Sequence, residues 1–248
     1  DLASGEVVGA EALLRWRLPG HGEIAPSQFI PLAEESRLIL DIGAWVRNQV
    51  CIDYAAWQQR VSDPGRVAIN LSLKELSQAS FIPRCRSVFE RHNVSASCVE
   101  LEITETTLML DAERTLPLLD ELRSMGIHLS IDDFGTGYSS LSALQQFPIS
   151  TLKIDRSFVT NAASDPDDAT IVRTIIEMGR SLGLQVIAEG IETEEQRYFL
   201  LHSGCQMGQG RLFGDAISSD AFLELLLRQA TGEHTVLQLP AKGAATSA

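Results

Sequence analysis

The chain is poor in the residues that build soft-metal sites and covalent staples. Its four cysteines, Cys51, Cys85, Cys98 and Cys205, are scattered without Cys-x-x-Cys spacing, and no Cys or His recurs at liganding intervals. That pattern argues against zinc and fits reduced, structural thiols in a cytoplasmic setting. Cations are also scarce, 20 Lys and Arg against 33 Asp and Glu, for a formal charge of −13. Such a balance argues against broad electrostatic capture of nucleic acid or of an anionic membrane. No window approaches the roughly 20 apolar residues of a membrane span, and no secretory signal is visible. A small anionic ligand stays open, because clustered carboxylates can hold divalent cations that reverse the local sign.

What is present is a barrel-sized length of 248 residues with alternating strand and helix patterns. Residues 6–16 read as a strand with Glu11, Leu13 and Arg15 on one face, and residues 26–60 as helical scaffold. Strand patterns recur at 66–72, 99–105, 127–131, 150–155, 184–190 and 205–210, with helical patterns between them and a last helix over 218–230. His128 reads as a packed core histidine, 161–168 as a polar rim loop, and 231–248 as a flexible tail behind a domain covering 1–230. Seven such pairs call for a parallel sheet with helices outside. A closed barrel normally has eight strands, which places one upstream of Asp1, in a longer protein.

The most informative stretch is Ile131-Asp132-Asp133-Phe134-Gly135-Thr136-Gly137, continuing to a helix start behind Ser139 and Ser140. Two adjacent carboxylates at a strand end repel, so they must share a proton, find a cation or bind a metal. The glycines permit a loop that approaches a ligand closely. Polar residues stand at the same end of almost every strand: Glu11, Asn70, Glu102, Asp132 with Asp133, Lys153 with Asp155, Glu189 and Gln209. In a barrel those ends converge on one face. A mouth ringed by carboxylates, one Asn and one Lys suits Mg²⁺ or Mn²⁺, and paired hard cations suit phosphoester hydrolysis.

Glu11-Ala12-Leu13-Leu14-Arg15-Trp16 resembles the signature of the EAL-domain cyclic di-GMP phosphodiesterases. The resemblance continues through Asn70-Leu71-Ser72, Glu102-Ile103-Thr104-Glu105, the Asp132-Asp133 loop, Lys153-Ile154-Asp155, Ala188-Glu189-Gly190-Ile191-Glu192 and Gln209-Gly210. It implies an α/β fold, a modified TIM (β/α)8 barrel whose first strand is antiparallel, that strand missing from the start of this chain. It implies hydrolysis of cyclic di-GMP to linear pGpG with two Mg²⁺ or Mn²⁺ and inhibition by Ca²⁺.

Carried over by motif, Glu11, Asn70, Glu102 and Asp132 would hold one metal, and Asp133 with Asp155 a second. Lys153 would orient water, Glu189 would be the general base, and Arg15 and Gln209 would contact substrate. Glu105, Gly135, Gly137 and Glu192 would support the loop. The resemblance also implies a homodimer and an upstream sensor or GGDEF-like domain. The competing expectation is a silent receptor that binds cyclic di-GMP uncleaved, as in relatives lacking metal ligands. Arg211 and Asp215-Ala216 depart from the family pattern at the barrel rim.

Overall fold

Short apolar runs that are buried on both faces can pair only inside a layer of helices, and this governs the architecture. The computed structural model describes residues 1–110, 112–137 and 144–232. In chain order the elements are β1 (Gly9–Ala12), β2 (Trp16–Leu18), β3 (Gly22–Ile24), α1 (Pro26–Glu35), α2 (Ile39–Trp57) and β4 (Arg66–Asn70). Then come α3 (Leu73–Leu76), α4 (Phe81–His92), β5 (Val99–Thr104), α5 (Glu105–Leu110), α6 (Ala112–Ser124), β6 (His128–Phe134) and β7 (Thr151–Ile154). The series closes with α7 (Arg156–Asn161), α8 (Pro166–Ser181), β8 (Gln185–Ala188), α9 (Glu194–His202), β9 (Met207–Gly208) and α10 (Ser219–Ala230).

Seven strands form one sheet in the order β1-β4-β5-β6-β7-β8-β9, parallel at every step. Laid flat, its edges would stand roughly 30 Å apart at about 4.8 Å per strand. Yet the Gln209 amide, one residue past β9, donates to Glu11 on β1 over 2.8 Å. The sheet therefore curls until its edges meet, as expected for a barrel. Among the described residues it contains no antiparallel strand. The N-terminal segment approaches the seam between β1 and β9, where Leu2 is buried and its amide donates to the Gln206 carbonyl.

Several local expectations change. The strand expected over 6–16 is only four residues long, and the chain then leaves the sheet to form the antiparallel hairpin β2–β3. Residues 26–60 are two helices, interrupted where Arg37 takes a left-handed φ of 64°. Asp155 follows β7 and caps a short helix, α7, that the sequence reading did not announce. A capping box opens α9: the Thr193 hydroxyl accepts from the Gln196 backbone amide, and the Thr193 amide donates to the Gln196 side chain. His128 lies half-buried beside the Ser150 hydroxyl. The helix start at Ser139 and Ser140 and all but the first two residues of the 231–248 tail lie outside the described residues.

Candidate functional site

Parallel strands bring their carboxyl ends to one mouth of the barrel, and there the structure gathers one cation and many acids. Lys153 on β7 is 2% exposed. Its Nζ lies 2.6 Å from Glu189, 2.7 Å from Glu102, 3.2 Å from Asp132 and 3.7 Å from Glu11. Four carboxylates thus face one ammonium. Burial works against the charge of the lysine, but the surrounding acids outweigh it and hold the ammonium protonated.

The acids bear the excess. Burial, reinforced by Glu11 and Asp132 and opposed by Lys153, pushes the Glu102 carboxyl up to about 9. Burial and the Asp132 charge likewise raise Glu189 to about 7, against the pull of Lys153. Glu11 goes the other way: Lys153, Gln209 and Asn70 together overcome its burial and lower it. Its two oxygens are clamped by amides, Oε1 by Asn70 at 2.7 Å and Oε2 by Gln209 at 2.8 Å.

Asp132 and Asp133 show how neighbouring side chains reach one site. In a regular strand they would point to opposite faces. Here the register against β7 slips between Ile131 and Phe134, so both aspartates stand opposite Lys153 in a bulge. Asp133 takes a left-handed φ of 53°, a conformation aspartate tolerates better than most residues. Burial, Asp132 and Asp155 raise Asp133 to about 6.

Carboxylate oxygens of Asp132, Asp133 and Glu189 lie within 4.8 Å of one another, close enough to share one metal ion. Glu102 Oε2 is buried and has no hydrogen-bond partner. A hard dication fits this donor set: it would take up the orphaned oxygen and offset charge that Lys153 cannot balance alone.

The glycine loop is moored from below. Glu105 Oε2 accepts the amides of Gly135 at 2.9 Å and Gly137 at 3.2 Å. Gly135 has a φ of 100°, and an added Cβ would lie 2.8 Å from the Phe158 ring. No larger residue fits without movement.

Other expected residues lie elsewhere. Arg15 is half-exposed and pairs with Glu23 of the hairpin at 3.3 Å rather than with Glu11, because the strand ends before it. Asp155 accepts from the Ser157 amide at 2.9 Å and from its hydroxyl. Those bonds outweigh burial and keep it below its ordinary range. Among the described residues its tie to the cluster is to Asp133. Glu192 pairs with Arg211 across 3.5 Å on the exposed rim, where the departing residue has found an acid. Glu189, grouped in the sequence with the other strand-end acids, lies in the same cluster as Asp132 and Asp133. Its position at the same strand end as Asp132 was the available signal. Glu100, two residues before Glu102 on β5, pairs with Arg66 at 3.0 Å toward the opposite mouth.

The family model described as EAL domain matches residues 1–216. The chain is 44% identical over 220 residues to the bifunctional diguanylate cyclase/cyclic di-GMP phosphodiesterase MucR of Pseudomonas aeruginosa, covering 89% of this chain and 32% of MucR. It is 41% identical over 225 residues to the cyclic di-GMP phosphodiesterase NbdA of the same organism, covering 91% of this chain and 29% of NbdA. The chain thus spans about a third of the length of these curated relatives. A solved structure of the PaMucR phosphodiesterase in complex with c-di-GMP superposes with a TM-score of 0.84 at 45% identity, covering 88% of each chain.

Proposed function

Because the chain belongs to the EAL domain family, we propose that it is a metal-dependent phosphodiesterase that opens cyclic di-GMP to linear pGpG. The observation that carries this reading is the excess of buried carboxylate over ammonium at the barrel mouth, Glu11, Glu102, Asp132 and Glu189 around Lys153. A protein has little reason to sustain that imbalance for stability alone, since uncompensated buried charge is costly.

In this reading Glu11, Asn70, Glu102 and Asp132 hold one Mg²⁺ or Mn²⁺, and Asp133 with Asp155 helps hold a second. When bound, the cations supply positive charge against the phosphodiester and acidify water. Glu189, already raised to about 7, accepts the proton from the attacking water at neutral pH. Lys153 stands 2.6 Å from Glu189, where its ammonium orients that carboxylate and favours water at the same spot. Gln209 and Arg15 contact the substrate. The glycines and Glu105 set the approach of the loop beyond Asp133, with Glu192 and Arg211 at the rim. The chain works within a longer cytoplasmic signalling protein carrying an upstream sensor or GGDEF-like domain, and pairs as a homodimer. A monomer by light scattering at full activity would count against the dimer.

The test is incubation of the purified protein with cyclic di-GMP and Mg²⁺, Mn²⁺, Ca²⁺ or chelator, with products separated by chromatography. Linear pGpG with Mg²⁺ or Mn²⁺ and none with Ca²⁺ is expected. Tight binding of intact cyclic di-GMP without product would replace the enzyme by a receptor.

A further inference from the structure

The barrel seam runs beside Glu11, one of the proposed metal ligands. β1 and β9 are the two edges of the sheet, and among the described residues neither has a further strand partner. Glu11, near the end of the four-residue β1, is held across this seam by the Gln209 side chain.

Contacts at the seam join the start of the chain to residues 191–208. Leu2 is 1% exposed, although residues 3–6 beside it are exposed. Its amide donates to the Gln206 carbonyl at 2.8 Å. Its carbonyl accepts two bonds from the Arg197 guanidinium of α9, at 2.9 and 2.7 Å. The Leu2 side chain occupies the space over Gly208, where an added Cβ would lie 2.7 Å from Leu2 Cδ2 and 2.4 Å from Ile191 Cδ1.

Gly208 immediately precedes Gln209, whose amide donates to the Ala188 carbonyl at 2.8 Å and whose carbonyl accepts from Ile191 at 3.1 Å. The Gln209 side chain then crosses the seam to Glu11 Oε2. A second tie fixes the lead-in to β1, because Gln229 on α10 bonds both the amide and the carbonyl of Val7. Contacts therefore run without a break from Arg197 and Leu2 through Gly208 and Gln209 to the Glu11 carboxylate.

We propose that Leu2 and Arg197 are positioning residues that hold Gln209 against Glu11 across the seam and so fix the orientation of that carboxylate toward the metal. The proposal rests on the phosphodiesterase reading above. A hydrogen bond to a charged group is sensitive to small displacements, and its loss corresponds to about a tenfold change in an equilibrium or rate constant.

The experiment is a double-mutant cycle on the whole chain: Leu2→Ala, Gln209→Ala and the pair, with Arg197→Gln and Leu2→Met alongside. Three quantities are measured: kcat and KM for cyclic di-GMP, the Mn²⁺ dissociation constant by calorimetry, and the unfolding midpoint. Each of Leu2→Ala, Arg197→Gln and Gln209→Ala is expected to lower kcat/KM about tenfold and weaken Mn²⁺ binding about fivefold. Leu2→Ala adds less than about twofold once Gln209 is gone, and Leu2→Met retains near-parental values. A lowered midpoint with kcat/KM and Mn²⁺ affinity unchanged, or effects that multiply fully in the pair, would overturn the proposal. Should Leu2→Ala fail to fold, Arg197→Gln takes its place in the cycle. If the parent protein does not hydrolyse cyclic di-GMP, the functional reading fails, and the Mn²⁺ measurements still decide the positioning role.

Discussion

Glu100 and Glu102 lie two residues apart on β5, point into the barrel from the same face and are 5% and 3% exposed. Glu100 meets one cation, Arg66, which also bonds Gln185 across the interior at 2.8 Å. Glu102 meets Lys153, a cation already shared with three other carboxylates. Toward the amino-terminal mouth charge is matched one for one; at the carboxyl mouth it is left in excess. Identical residue types in identical burial thus serve different ends. What separates them is the balance of charge around each, a property of several strands at once.

The largest effect expected from breaking the contrast is at the unbalanced end. Glu11→Ala and Asp132→Asn should lower cyclic di-GMP turnover at least about a hundredfold, measured at saturating metal. Next, Lys153→Met removes the one cation from the ring, and urea unfolding of metal-free protein should show a loss of about 3–5 kcal/mol. That loss should be smaller in acid, where the acids carry protons.

The pH dependence of the parent protein sharpens the same point. Glu102, Glu189 and Asp133 are raised to about 9, 7 and 6 in the fold, above their unfolded values. Their stabilisation is full below the unfolded values and is lost as pH rises through the folded ones. Glu11 and Asp155, held low, act oppositely only at the acid end. The unfolding midpoint of metal-free protein should therefore fall between about pH 5 and about pH 8, and the stabilisation by Mn²⁺ should grow over that range. A midpoint rising through that interval would contradict the charge excess. Smaller still, Gly135→Ala should destabilise by about 1–3 kcal/mol through its left-handed φ and the Phe158 ring, read by thermal unfolding.

The strand-end acids were legible because a parallel barrel turns a spacing pattern into a place: every carboxyl end faces one mouth. Glu11, Asn70, Glu102, Asp132, Lys153, Glu189 and Gln209 could be grouped on that ground alone. Arg15 was not, since alternation assumes that the strand continues, and β1 stops at Ala12. Strict alternation also sends Asp132 and Asp133 to opposite faces, and only a register slip unites them. Alternation sets Glu100 and Glu102 on one face and does not tell them apart, because their partners, Arg66 and Lys153, come from other strands. The role of Leu2 at the seam depends on contacts with residues about 200 positions away and leaves no local pattern.

The most direct test sets Glu102→Gln beside Glu100→Gln and measures cyclic di-GMP hydrolysis with Mn²⁺. Each substitution replaces one buried carboxyl group on the same face of the same strand by an amide of the same shape. The charge-excess account predicts that Glu102→Gln loses at least about a hundredfold in turnover, while Glu100→Gln stays within about threefold of the parent at temperatures where it is folded. Equal losses in the two variants, or near-normal turnover by Glu102→Gln, would contradict it.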